Sequence, residues 1–323
     1  TLGFGLLSAQ TRPGETSWAR AYEETLQLAR DAEQLGFSSI WTTEHHFVDD
    51  GYMPSLMAVS SAIATATESI EVGTGVILAP LHDPLRLAED AATVDLLSGG
   101  RFTLGLGLGW VGVEFDALGV DMSVRGAAME ETLQILPKAW SGRPFRHDGE
   151  IYSYPELAVR PTPDRKIPVL IGGSAELAIR RAARLADGIF ANATVDKFLR
   201  MVHWVEDELD EIGRDPDEFR IVHYSVILPG DSEEEAWDRY MPHQWHMMWK
   251  YSDMEASATR TGPPPTAPPL TAEGREAIRA RSTIAGTAEQ IVGQLHDIRE
   301  KSSLDVEFVA RSYFHTLTYE EQY

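Results

Sequence analysis

Eight times along this chain a short, almost wholly apolar run gives way to a stretch with helical spacing of its apolar residues. The runs are centred on Leu2-Gly3-Phe4-Gly5-Leu6-Leu7, Ser38-Ser39-Ile40-Trp41 and residues 70–78, 102–109, 167–171, 188–190, 219–228 and 305–310. Strands that do not alternate polar with apolar are buried on both faces, as in a parallel sheet covered by helices. Eight of them alternating with helices predict an α/β fold: a (β/α)8 TIM barrel. The helices are expected over 18–35, 54–66, 84–97, 125–140, 175–186, 196–212, 232–251 and 286–301. Each begins or ends where Pro, Gly or a small polar residue would start or stop one.

Two stretches interrupt the rhythm. Residues 142–166 are irregular and carry Arg143 and His147. Residues 251–282 hold Gly262-Pro263-Pro264-Pro265 and Pro268-Pro269, which suit neither helix nor ladder. Too few residues follow for an independent core. The chain therefore reads as a single domain, 1–323, with 251–282 as a lid loop near the C-terminal mouth.

Loops at strand ends carry the chemistry of such barrels. The second strand runs into Trp41-Thr42-Thr43-Glu44-His45-His46-Phe47, two imidazoles and a carboxylate at a strand end. Histidine titrates near neutrality and can act as general acid or base. Neighbouring residues on extended chain point to opposite sides, so His45 and His46 are not expected to converge on a metal ion, and no metal site is expected. The fourth strand, Leu104-Gly105-Leu106-Gly107-Leu108-Gly109, places leucines on one face and glycines on the other. A bare backbone face leaves room for a flat ligand, and tight barrel packing is the competing reading. Gly172-Gly173-Ser174 ends the fifth strand where a helix begins. Free N–H groups there, with the Ser174 hydroxyl, form an anion site or a simple helix cap. Arg311, just past the last strand, is a further cation near the same mouth.

Composition narrows the partners. With no Cys, disulfides, thiolate ligands and Cys nucleophiles are excluded, and a net charge of −22 argues against nucleic-acid and anionic-membrane partners. No leader segment is recognised and a cytoplasmic setting is expected.

Several motifs in order, Glu44-His45-His46-Phe47, Val72-Gly73-Thr74-Gly75-Val76-Ile77-Leu78, Arg86-Leu87-Ala88-Glu89-Asp90, Ser98-Gly99-Gly100-Arg101-Phe102 and Ile171-Gly172-Gly173-Ser174, resemble the bacterial luciferase-like family of flavin-dependent oxidoreductases. The resemblance covers essentially the whole chain. It implies a barrel holding reduced flavin at its C-terminal mouth, with His45 matching the family's catalytic histidine and Glu44 or His46 orienting it. It implies a cofactor site at Gly75-Val76, an unusual cis peptide in the family, and a phosphate-binding Ser174; the reading of the residues themselves adds Gly107, Gly172 and Gly173 to that site, with Arg311 closing over the phosphate. Leu108 stands where the luciferases carry a phosphate-binding Arg, and Gly173 where they carry an acidic residue. Residues 109–115 look closer to the family's deazaflavin branch, the histidine stretch to its FMN branch.

The function expected is a two-component monooxygenase that receives reduced FMN from a flavin reductase and oxidises a small organic substrate with O2. The alternatives are a deazaflavin-dependent hydride-transfer enzyme, a non-catalytic flavin-binding or partner subunit, and a metal-dependent barrel hydrolase. A homodimer is expected through the small residues Ala58, Ala62, Ala88 and Ala92.

Overall fold

The computed structural model describes residues 1–322. The apolar runs become β1 (Leu2–Leu7), β2 (Ser39–Thr42), β3 (Glu71–Thr74) continued by β4 (Ile77–Leu78), and β5 (Phe102–Gly107). An antiparallel hairpin of β6 (Phe145–Asp148) and β7 (Ser153–Leu157) follows, outside the barrel. Then come β8 (Val169–Gly172), β9 (Gly188–Ala191), β10 (Arg220–Pro229), β11 (Thr283–Gly286) and β12 (Val306–Arg311). All but the hairpin pair in parallel, and the ring closes because β12 pairs with β1 on one side and β10 on the other. The barrel therefore has the eight strands expected, with β11 added alongside the far end of β10.

The covering helices are α1 (Trp18–Gln34), α2 (Leu56–Ala66), α3 (Pro84–Ser98), α4 (Gly112–Leu118), α5 (Arg125–Trp140), α6 (Glu176–Leu185), α7 (Val195–Ile212), α8 (Glu233–Ser257), α9 (Ala272–Arg279), α10 (Ala288–Lys301) and the short α11 (Tyr319–Gln322). Their ends follow local chemistry. Asp83 accepts from the backbone N–H of Leu85 and Arg86, Pro84 supplies the first helical position, and Gly99 in the left-handed region stops α3. Thr287 and Gln290 form a reciprocal capping box at the start of α10.

One expectation changes. The stretch 251–282 is not a single loop: α8 runs on to Ser257 in spite of Pro242, residues 258–271 are irregular, and α9 and β11 complete it. The extra turns of α8 bury Met254 and Ser257, with Met254 packed against Val48, Tyr52 and Val111, a tertiary contact that composition does not reveal.

Side chains alternate across each strand, and the inward set is stratified. Glu307, Val309 and Arg311 climb one strand from floor to mouth; Arg220, Val222 and Tyr224 climb its neighbour in matching order. The middle layer is Trp41, Phe190, Leu170, Val222 and Val309, with Trp41 stacked on Phe190 at 4.5 Å and Phe190 on Tyr224 at 4.8 Å. Inward glycines make room for these large rings. A Cβ on Gly73 would stand 2.4 Å from the Trp41 ring, and one on Gly75 2.7 Å from Phe190. Filling an eight-stranded barrel with few large rings requires small residues opposite them.

Candidate active site

His45 leaves the end of β2 into the mouth, its backbone N–H donating to the Met53 carbonyl at 3.3 Å. Its Nδ1 lies 3.0 Å from Oε1 of Glu114, which also accepts the backbone N–H of His46 at 2.7 Å. An oxygen already receiving one donor acts as acceptor toward the second, so Nδ1 carries the proton and Nε2 is left as the working nitrogen. Rings surround the imidazole edge-on: Tyr52 at 4.9 Å, Tyr251 at 5.7 Å and Trp110 at 5.8 Å. His45 is only 5% exposed, so a proton moved at Nε2 is shielded from bulk water. Glu114, fully buried in α4, is the residue the sequence reading missed. A lone carboxylate between Val113 and Phe115 was the available signal.

Glu44 does not orient His45. Its Oε2 accepts the backbone N–H of Leu78 at 2.6 Å and its Oε1 sits 3.1 Å from Nε2 of His82 and 3.4 Å from Nε2 of His46. Burial pushes its carboxyl up, yet the hydrogen bonds and charge of His46 and His82 prevail and hold it at about 2. Burial likewise disfavours charge on His82, and Glu44 overcomes it, so His82 is raised. Glu44 thus ties β2 to β4 and α3, a positioning role. His45 and His46 take different side-chain partners, Glu114 and Glu44. His46 joins Glu44 and His82 in a group with ligand atoms within 4.8 Å of one another, a possible metal set that spacing along the chain did not suggest.

The cofactor candidates divide. The Gly75-Val76 peptide is cis. Gly107 and Gly172 do not offer bare backbone: a Cβ there would meet Val76 at 2.4 and 2.7 Å, and one on Gly105 the Thr74 carbonyl at 2.0 Å. The glycine face of β5 is filled by the protein itself, so packing is the reason for those glycines. Gly173 takes φ +150, and α6 begins one residue later than expected, with Ala175 at its cap. That frees the Ser174 hydroxyl, which accepts from Nζ of Lys197 at 2.8 Å. Lys197, from α7, is a second residue beside the candidate site that the sequence reading missed. Arg311 does not close over this group: its Nη2 donates to the Tyr251 hydroxyl at 2.7 Å, in a mouth cavity whose lining includes Tyr52 and Tyr251 and not Ser174. Of the proposed subunit-contact alanines, Ala88 and Ala92 are fully buried within their own chain, leaving Ala58 and Ala62 at the surface side.

The family model described as luciferase-like monooxygenase matches residues 3–305. The chain belongs to this family. Among its relatives, 4-hydroxyprotoasukamycin monooxygenase of Streptomyces nodosus subsp. asukaensis is 27% identical over 89% of this chain and 78% of its own length. The oxygenase component of a flavin-dependent trigonelline monooxygenase from Acinetobacter baylyi is 30% identical over 44% of this chain and 40% of its own. An uncharacterised protein, y4vJ, of Sinorhizobium fredii is 33% identical over 59% of this chain and 55% of its own. The chain thus spans about half the length of these last two. In fold it is similar to the monooxygenase RslO1 from Streptomyces bottropensis, with a TM-score of 0.83, 22% identity and coverage of 100% of this chain and 95% of that one. Luciferase-like relatives also include an F420-dependent glucose-6-phosphate dehydrogenase from Microbacterium testaceum, 28% identical over 60% of this chain and 61% of its own. No helix among the described residues is long and apolar enough to cross a membrane.

Proposed function

We propose that this luciferase-like chain is the oxygenase component of a two-component system, receiving reduced FMN from a separate flavin reductase in the cytoplasm and oxidising a small organic substrate. The observation that carries the choice of cofactor is the Ser174–Lys197 pair at the start of α6. A helix start, a hydroxyl and one ammonium suit a single phosphate. Lys197 supplies the cation that Leu108 withholds. A deazaflavin coenzyme, with its longer acidic tail, needs a wider basic track. Three of the arginines available for one are engaged elsewhere: Arg146 with Asp148, Arg180 with Glu176 and Glu208, and Arg181 with Glu130.

Reduced FMN, when bound, supplies the electrons that activate O2. The chain's own part is to seat the phosphate on Ser174 and Lys197, to keep water from the mouth beneath α8, and to hold or move a proton at Nε2 of His45 with Glu114 steadying the ring. That a relative is named as an oxygenase component supports the reductase partner. A homodimer through the α2 face that exposes Ala58 completes the reading, and a mass of one 35.8 kDa chain by light scattering at micromolar concentration removes that part of it.

Anaerobic titration tests the cofactor. Micromolar binding of reduced FMN should weaken roughly 10-fold in Lys197→Ala, the scale of one charge-assisted contact, and less in Ser174→Ala. Tight deazaflavin binding without FMN binding would replace the mechanism by hydride transfer.

A further inference from the structure

On either side of His45 in the chain stand two side chains that turn to a different task. Glu44 and His46 belong to the loop after β2, and His82 lies between β4 and α3. Oε1 of Glu44 is 3.1 Å from Nε2 of His82 and 3.4 Å from Nε2 of His46. The ligand atoms of all three fall within 4.8 Å of one another. A tetrahedral ion with bonds of about 2.0–2.1 Å holds its ligand atoms about 3.3 Å apart. Two edges of such a site are therefore close to the required length.

Hydrogen bonding leaves this group incomplete. Nε2 of His46 is buried, and among the described residues it has no hydrogen-bond partner. A buried polar atom in that condition costs stability until something binds it. Glu44 is 1% exposed, and its other oxygen is fixed because Oε2 accepts the backbone N–H of Leu78 at 2.6 Å. Such an outer hydrogen bond is what orients a ligating carboxylate. A cavity of about 370 Å³ is lined by Glu44 and His82, together with Asp90, Ser61 and Thr93. At about 30 Å³ per molecule it has room for several waters, which can fill the coordination positions that three protein ligands leave. Two imidazoles and one carboxylate suit zinc and its neighbours, whereas Ca²⁺ and Mg²⁺ take oxygen ligands. A net charge of −22 favours any cation over an anion.

We propose that Glu44, His46 and His82 form a binding site for one divalent transition ion of the zinc class. The ion clamps the loop after β2 to the connection between β4 and α3. His45 stands between two of the ligands, so the clamp fixes the backbone from which its imidazole enters the mouth. Zinc has no redox chemistry, and its part here is positional. The site needs only these three side chains and stands apart from the oxygenase reading.

The test uses the full chain, stripped with EDTA, dialysed free of it and titrated calorimetrically with Zn²⁺. One ion per chain should bind with a Kd of about 1 µM or tighter, and millimolar Mg²⁺ should not displace it. Glu44→Gln keeps the shape and a hydrogen-bond acceptor, and His82→Ala changes a partly exposed position, so both should fold. Each should weaken binding roughly 100-fold or more, beyond the roughly 10- to 100-fold of a lost outer-shell partner. His203→Ala, at an exposed imidazole on α7, should leave affinity within about 2-fold. Zn²⁺ should raise the melting temperature of the parent and of His203→Ala but not of the two ligand variants, since an ion bound only by the folded state stabilises it. A parent Kd weaker than about 100 µM overturns the proposal. So does tight binding that survives both ligand variants, which assigns the ion to other side chains.

Discussion

Arg220 and Arg311 point into the same barrel from neighbouring strands, one at its floor and one at its mouth. At the floor the guanidinium of Arg220 is saturated: Nε donates to Glu307 at 2.8 Å, Nη1 and Nη2 to Glu71 at 3.1 Å, and Nη1 to Thr103 at 3.1 Å. Two neighbouring strands, β10 and β12, are tied to β3 and β5 across the barrel by one side chain. At the mouth Arg311 has one side-chain hydrogen bond, to a tyrosine hydroxyl, and borders a cavity of about 20 Å³, room for about one water. The same residue type is therefore saturated with carboxylates at one end and paired only with a hydroxyl at the other. A charge whose partners are built into the fold contributes to stability; a charge whose partner is absent from the fold is available to a ligand. Barrel enzymes separate the two tasks by end in this way.

The sharpest way to break the comparison is at the floor. Arg220→Leu leaves Glu71 and Glu307 facing each other without a cation. Unfolding stability should fall by roughly 1–3 kcal/mol, because breaking a part-buried network leaves two carboxylates without their cation. Chemical denaturation measures this, and cofactor affinity of the folded fraction should be unchanged. A larger effect on cofactor binding than on stability would end the distinction between the two ends.

The mouth should answer in the opposite sense. His45→Ala should cut turnover roughly 100-fold or more while leaving flavin affinity within a few-fold, the usual scale for a lost acid–base group. Glu114→Gln preserves the shape and the acceptor but not the charge, and should cost about 10-fold. Steady-state rates with reduced FMN and an accepted substrate, set beside melting temperatures, check both. If His45→Ala destabilises the chain as much as Arg220→Leu does, the imidazole is part of the scaffold.

The smallest effect concerns Glu44, which lies at the mouth yet behaves like the floor. Its folded value of about 2 lies below the ordinary 4.5. A depressed carboxyl contributes stability above about 4.5 that is lost as pH falls toward about 2. The parent should therefore lose about 1–2 kcal/mol more than Glu44→Gln between pH 5 and pH 3, read from urea midpoints. Parallel pH profiles would mean that the His46 and His82 bonds do not hold the carboxylate.

Much of this molecule was legible along the chain. Continuous apolar runs of strand length, broken by caps such as Asp83-Pro84 and stops such as Gly99, specify their elements through backbone chemistry confined to a few residues. The barrel, the place of His45 at a strand end and the loop at Gly172-Gly173-Ser174 follow from those local rules. The extension of α8 and the strand β11 did not, because burial against the barrel overrides local composition there.

What only the tertiary structure decided is the partner of each charged group. His45 meets Glu114 across 69 residues, Glu44 meets His82 across 38, Arg311 meets Tyr251 across 60 and Ser174 meets Lys197 across 23. Local patterning says which side of a strand or helix a residue occupies, and it placed His45, Glu44, Ser174 and Arg311 near the mouth but not their partners. Hydrogen bonds and ion pairs act over about 3 Å, so their choice waits on how the closed ring brings distant strands together. That closure turned a stripe of glycines into space for Trp41, Phe190 and Val76. It also left Arg311 beside three tyrosines and, among the described residues, with no carboxylate partner.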